Sequence, residues 1–282
     1  MLLELAIGDA YGAGFEYVRD RRFITRHNDL SGYVKHPRHD LKPGRYTDDT
    51  QMSLAIAELI VEGADWTPEV IAGKFVEVFH RDPRKGYSGH FYKFLKKTRT
   101  AADFLKNIRP DSDKSGAAMR AGPIGVFASI DEVLERSRIQ AELTHNTPDG
   151  IHAAQAVALM THYFLHDVGP KAELPEFLCT HVPGAWREPW TGEVGSKGWM
   201  SVRAAITSLV KQETLSGLLK SAIAWGGDVD TVATIALAAG SCSKEIATDL
   251  PDVLVRNLEN RAYGRDYLVC LDAWLFSGMM DG

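Results

Sequence analysis

Cysteine is scarce in this sequence: three residues in 282, Cys179, Cys242 and Cys270, far apart and with no CxxC pair. That spacing excludes a disulfide framework and a thiolate zinc cluster, and it reads as the reduced thiols of a cytoplasmic protein. A strong charge of either sign is also missing. The formal balance of -5 gives no electrostatic case for a nucleic acid or a membrane surface as partner. No apolar run approaches the length of a transmembrane helix. The opening stretch Met1–Ile7 is interrupted by Glu4 and stops at Gly8-Asp9, without the positive flank of a signal peptide. Alternation at period two is absent, so no strand is expected, and no linker divides the chain. What remains is one all-α domain over residues 1–282, long enough to bury a sizeable core and suited to a small, discrete ligand.

The apolar positions recur at helical spacing. Residues 1–13 read as a helix that runs into the glycine-spaced stretch Gly8-Asp9-Ala10-Tyr11-Gly12-Ala13-Gly14, where the small residues permit close packing or a sharp turn. Residues 19–46 are polar and turn-rich and read as a surface loop that delivers Tyr46 and Thr47. Its histidines His27, His36 and His39 match no zinc pattern and read as solvated. Further helices are expected from Thr67-Pro68 to about Phe79, around Phe91–Leu95, from a cap at Asp131 to about Gln140, and from Thr147-Pro148 to about His166. Residues 167–198 form the longest irregular stretch, rich in Gly, Pro and Trp, and read as a lid or ligand wall. Helices then resume around 202–210, 215–224, 231–240, 253–258 and 267–276.

Two acidic helix starts stand out against this background. Thr47-Asp48-Asp49-Thr50 opens a helix with Met52, Ala55, Ile56, Leu59 and Ile60 on one face, Thr47 being its natural N-cap. Asp in a first helical turn is favourable to the helix dipole and by itself ordinary. The second start, Gly226-Gly227-Asp228-Val229-Asp230-Thr231, leads into Val232–Gly240, a helix apolar nearly all round and therefore expected at the centre of the fold. Two acids at the entrance of a buried helix, with no adjacent Lys or Arg, require a cation. If the two starts converge, Asp48, Asp49, Asp228 and Asp230 balance two divalent ions, with Thr47 and Thr231 completing a hard-oxygen set that suits Mg or Mn over Zn. Between the two starts, Ser115-Gly116-Ala117-Ala118-Met119-Arg120 places small residues where a helix start could meet a phosphate. His145 reads either as a capping partner or as a ligand contact.

Taken together, the ordered blocks Gly8-Asp9-Ala10-Tyr11-Gly12 with Glu16, Tyr46–Thr50, Ser115–Arg120, Thr144-His145 and Gly226–Thr231 make the sequence similar to the ADP-ribosylglycohydrolase family. The resemblance covers most of the chain. It implies a compact all-α fold, a binuclear Mg or Mn centre ligated by Thr47, Asp48, Asp49, Asp228, Asp230 and Thr231, and a substrate that is an ADP-ribosylated protein or small molecule. It further implies that Glu16 gates the site, that Ser115, Gly116, Ala117, Ala118 and Met119 cradle the diphosphate, and that His145 lies near the bound ADP-ribose. Many relatives carry Asn where this chain has Ser115, which shortens one substrate contact.

The chemistry expected of such a site is cleavage at an anomeric carbon through an oxocarbenium-like transition state, with Asp48 or Asp49 acting on water and Glu16 positioning substrate. A non-catalytic member, binding ADP-ribose or serving as a crystallin-like structural protein, is the competing expectation, and the complete Asp pairs count against it. The wall facing the acceptor is expected from residues 16–46, 82–98 and 181–199. Tyr87–Tyr92 offers aromatics there but no acid for a guanidinium, which leaves arginine-linked, serine-linked and small-molecule acceptors open.

Overall fold

The computed structural model describes residues 1–277, and these form helices joined by loops, with only isolated β-bridges. In chain order the helices are α1 (Leu2–Gly12), α2 (Arg21–His27), α3 (Asp48–Val61), α4 (Pro68–Arg81), α5 (Gly89–Lys97), α6 (Ala101–Asn107) and α7 (Ile130–His145). They continue with α8 (Pro148–Leu165), α9 (Leu174–His181), α10 (Gly198–Lys211), α11 (Leu215–Ala224), α12 (Val229–Gly240), α13 (Asp252–Asn257) and α14 (Arg265–Ser277). None is long and apolar enough to cross a membrane.

Helix α12 is the axis of the molecule. All of its residues are buried, as its all-round apolar sequence requires, and α1, α8, α10, α11 and α3 pack around it. The closest of these neighbours is α1, and the glycine spacing explains why. A Cβ on Gly8 would stand 2.6 Å from the Ala233 carbonyl oxygen, and one on Gly12 would fall on the Asp230 backbone. Two glycines one turn apart therefore let the helix backbones touch, which brings the end of α1 directly against the start of α12.

Several local expectations are corrected. The 19–46 segment holds α2, capped by Asp20, whose carboxylate accepts from Arg22 N at 2.9 Å. Helix α7 is capped by Ser129 rather than Asp131 and extends to His145, so His145 ends a helix instead of lying on the connection. Helix α6, too short to show a clear period, is not predicted by the sequence pattern. The stretch 167–198 contains α9, and Trp186 is buried within it rather than offered to a ligand. All three cysteines are free, as expected.

Candidate active site

The start of α3 is built on Asp9, a residue given no role of its own from the sequence. Fully buried in α1, Asp9 accepts from Thr47 N at 2.9 Å, Thr47 Oγ1 at 2.8 Å, Thr50 N at 2.9 Å and Thr50 Oγ1 at 2.6 Å. A carboxylate taking four donors satisfies the amides that a helix N-terminus leaves without intrahelical partners. Thr47 in turn caps the helix by accepting from Asp49 N at 3.4 Å. The two threonines are thus held by α1, and Asp48 and Asp49 are left to face the cavity that they line. Gly86, whose φ of 113° suits glycine alone, lies so close that a Cβ there would collide with Asp48 Oδ1.

The start of α12 is braced from two sides. Val194 N donates to Gly226 O at 2.9 Å and Asp228 N donates to Val194 O at 3.0 Å, fixing a turn whose glycines have φ of 75° and 88°. On the opposite side Tyr17 N donates to Gly227 O at 2.8 Å, which seats Glu16 beside Asp228 and Asp230. Carboxylate oxygens of these three residues lie within 4.8 Å of one another. The 182–197 region therefore acts as a brace behind the acids, and none of its residues lines the cavity in front of them.

That cavity, about 430 Å³, joins both helix starts: Asp48, Asp49, Asp228, Asp230 and Thr231 all line it, together with Glu16. Burial is the first cause that lifts the Asp49 carboxyl well above the usual range, followed by the charges of Asp9, Asp48 and Asp228. Burial followed by the Asp9 charge does the same to Asp48, and burial followed by Glu16 to Asp230. Asp228 is pushed up to about 7 by burial and Glu16, with the Ser115 hydroxyl, donating at 3.0 Å, opposing the shift. No Lys or Arg forms a salt bridge with these four acids among the described residues, and the buried Asp49 Oδ2 has no hydrogen-bond partner. An orphaned carboxylate oxygen within a hard-oxygen set fits an alkaline-earth-type divalent ion. Thr47 sits behind this group, its hydroxyl proton given to Asp9.

The same cavity is lined by Lys114, Ser115, Gly116, Met119, Arg120, Thr144 and His145. Here the expected α-helix start is a single 3-10 turn, Ser115–Ala117, and the side chains of Ala117 and Ala118 go into the core. Gln140 holds this turn, donating from Nε2 to Ala117 O at 3.1 Å while its Oε1 accepts from Arg120 Nε at 2.6 Å. Arg120 is the largest fully buried side chain, and loss of hydration lowers its guanidinium to about 9. Its Nη2 donates to Thr144 Oγ1 at 2.9 Å, and that hydroxyl lies 2.6 Å from His145 Nδ1. With the threonine proton given to Nδ1, the imidazole carries its own proton on Nε2. Burial, and then the Arg120 charge, depress His145 to about 3, so the ring stays neutral and presents an N–H donor. Gly116 leaves room for it: a Cβ there would stand 3.2 Å from Nε2.

Beside Glu16, one of the three histidines expected to be solvated is not, while His27 and His39 are half-buried. His36 is buried, 4% exposed, and its Nε2 is 2.9 Å from Glu16 Oε2. Its Nδ1 accepts from Arg38 N at 3.0 Å and His39 N at 3.1 Å, which leaves the ring proton on Nε2 for Glu16. Arg38 Nη2 donates to the other oxygen, Oε1, at 3.0 Å.

A family model described as ADP-ribosylglycohydrolase matches residues 1–280. The chain belongs to the ADP-ribosylglycohydrolase family. Among its relatives, the ADP-ribosylarginine hydrolase Tri1 of Serratia proteamaculans is 25% identical over 82% of this chain and 67% of the relative. The ADP-ribosylhydrolase ARH3 of Xenopus tropicalis is 29% identical over 63% of this chain and 53% of its own length. The ADP-ribosyl-dinitrogen reductase glycohydrolase of Rhodospirillum rubrum is 25% identical over 83% and 81%. A solved structure titled ADP-ribosylglycohydrolase-related protein complex superposes with a TM-score of 0.72, covering 98% of this chain and 95% of that one at 21% identity, a likeness of fold.

For this member of the family, hydrolysis of an ADP-ribosyl bond is the activity that family and relatives support. Its sequence-predicted acids meet in one cavity, while Asp9, His36, Arg38 and Arg120 complete the surroundings, none of them predicted as a site residue. Asp9 carried a signal, since a charged residue inside an apolar, glycine-spaced helix has to be satisfied by something.

Proposed function

We propose that this protein is a metal-dependent hydrolase that releases ADP-ribose from an ADP-ribosylated protein or small molecule. The observation that carries this reading is the convergence of four buried aspartates, one with an unpartnered oxygen, on a cavity that also offers a neutral imidazole donor and a lysine. Asp48, Asp49, Asp228, Asp230 and Thr231, backed by Thr47, are the groups that would hold two divalent ions, Mg or Mn. Such ions supply charge to orient ribose hydroxyls and to acidify water.

The remaining work falls to the chain itself. Lys114 and the backbone of the Ser115–Met119 turn receive the diphosphate, with His145 Nε2–H as a hydrogen-bond donor along that wall, while the Ser115 hydroxyl is bonded to Asp228. Asp48, more open to the cavity than the buried Asp49, orients and deprotonates the attacking water. Glu16, held by His36 and Arg38, positions the scissile bond next to Asp228 and Asp230.

The test is release of free ADP-ribose from arginine-linked and serine-linked peptides with Mg, with Mn and after chelation, beside the Asp48→Asn variant. Metal-dependent release that falls by at least about a thousandfold in Asp48→Asn is expected. Undiminished release after chelation, or full activity in the variant, would sink the metal-centred reading. The helix itself should survive the substitution, because Thr47 and Asp9 supply its cap.

A further inference from the structure

Ser115 opens the 3-10 turn that the family resemblance assigns to the diphosphate, yet its hydroxyl is engaged with an acid of the cation site: Oγ donates to Asp228 Oδ2 at 3.0 Å. A serine hydroxyl has one proton, and this one is given to a carboxylate. What the oxygen keeps are lone pairs, which cannot hold an anionic ligand. The backbone of the residue is equally committed. Ser115 N donates to Ser196 O at 3.1 Å, and Ser115 O accepts from Ala118 N and Met119 N, both at 2.9 Å. Ser115 therefore lines the cavity without a donor left over for a phosphate.

The bond to Asp228 is built into the fold, because one segment, residues 194–198, holds both of its ends. Val194 brackets the start of α12, donating to Gly226 O at 2.9 Å and accepting from Asp228 N at 3.0 Å. Two residues on, Ser196 O takes the Ser115 amide, and Gly198 N donates to Asp113 O at 3.2 Å. From the other side Gln140 Nε2 holds Ala117 O at 3.1 Å. Donor and acceptor are thus brought together by contacts that do not involve the hydroxyl or the carboxylate, so little side-chain entropy is lost in joining them. A carboxylate steered in this way is presented to a cation in one orientation, and such outer partners decide how well a metal ligand binds.

We propose that Ser115 is a positioning residue of the cation site, orienting Asp228 for a divalent ion and giving no hydrogen bond to the substrate. The inference rests on the proposed metal-dependent activity. It leaves anion binding to Lys114, His145 and the rest of the turn.

The experiment measures Mn affinity, by calorimetry and by the EPR signal of free Mn, on nucleotide-free wild type, Ser115→Ala and Ser115→Thr. Affinity for ADP-ribose is measured on the same proteins at saturating Mn, where binding also reports that each variant is folded. Ser115→Ala is expected to weaken Mn binding by about tenfold or more, and Ser115→Thr, which keeps a hydroxyl on the same carbon, to restore most of the loss. Affinity for ADP-ribose should stay within about threefold of wild type, less than the loss of one hydrogen bond to a charged group would cost. Mn binding unchanged in Ser115→Ala, or ADP-ribose affinity at saturating Mn lowered by about tenfold, overturns the positioning role and leaves the hydrolase reading in place. A wild type that binds no Mn overturns both, since Asp228 then has no ion to be oriented toward.

Discussion

Asp9 touches neither solvent nor, in the proposed mechanism, substrate, yet it decides where Asp48 and Asp49 lie. Its two oxygens take every donor that Thr47 and Thr50 present to it, within 2.6 to 3.1 Å. An amide in its place keeps one acceptor and turns an NH2 group toward amide donors. Asp9→Asn is therefore expected to lose about 3 kcal/mol of stability in urea unfolding and to lower turnover by about a hundredfold through misplacement of the acids. A variant with native stability and native turnover would show that α3 finds its position without α1. Thr144 offers a finer test at the same scale. Thr144→Val removes the hydroxyl that lies 2.6 Å from His145 Nδ1, so the Nε2–H tautomer loses its support. The expected result is a KM raised about tenfold with kcat little changed, and an altered His145 tautomer signal in nitrogen NMR.

Among the elements, the contact between α1 and α12 carries the most consequence. Since a Cβ on Gly12 would fall on the Asp230 backbone, Gly12→Ala must push the helices apart at the point where the acids meet. A loss of about 1–3 kcal/mol is expected from the overpacking, with activity falling further than stability explains; thermal melts and turnover of the same preparation check it. Much at this scale was legible beforehand. The long amphipathic or apolar helices, the burial of α12 and the capping of α3, α4 and α8 by Thr47, Thr67 and Thr147 follow from local pattern and cap chemistry. What escaped depends on contacts between distant segments. His36 looks like any loop histidine until α1 brings Glu16 to it, and the Trp-rich 182–197 stretch looks like a lid until Val194 is seen bracing Asp228. Short helices such as α2 and α6 are fixed by tertiary packing rather than by a period long enough to read.

For the whole molecule, the gathered acids set the dependence on pH. Burial raises Asp228 to about 7 and Asp48, Asp49 and Asp230 well above the ordinary carboxylate range. Between that ordinary range and the raised values, the chelated folded protein binds more protons than the unfolded chain. Its stability is therefore full below about pH 4 as far as these groups are concerned, and declines as pH rises through about 7. Divalent ions held by these acids, as proposed, would reverse the trend, because they would bind the ionised form and release protons. The melting temperature of chelated protein should fall between roughly pH 5 and 8, while the increase produced by Mg or Mn should grow over the same interval. A hundredfold excess of ion over its Kd adds about 2.7 kcal/mol. A metal-induced increase that is flat with pH would mean that the ions bind elsewhere.

The hydrogen bond from Tyr17 to Gly227 also has a meaning in time. During synthesis the first acidic pair, Asp48 and Asp49, leaves the ribosome long before the second, Asp228 and Asp230. The repulsion among the acids is thus postponed until the C-terminal part of the protein arrives, by which stage α1 and α3 can already have docked. Pairings so remote in sequence slow folding, since a large loop must close before they return any stability. A chain truncated before α12 would carry half of its acids, hold no cation between them and remain open to proteases. Cation capture would then mark the chains that have finished folding.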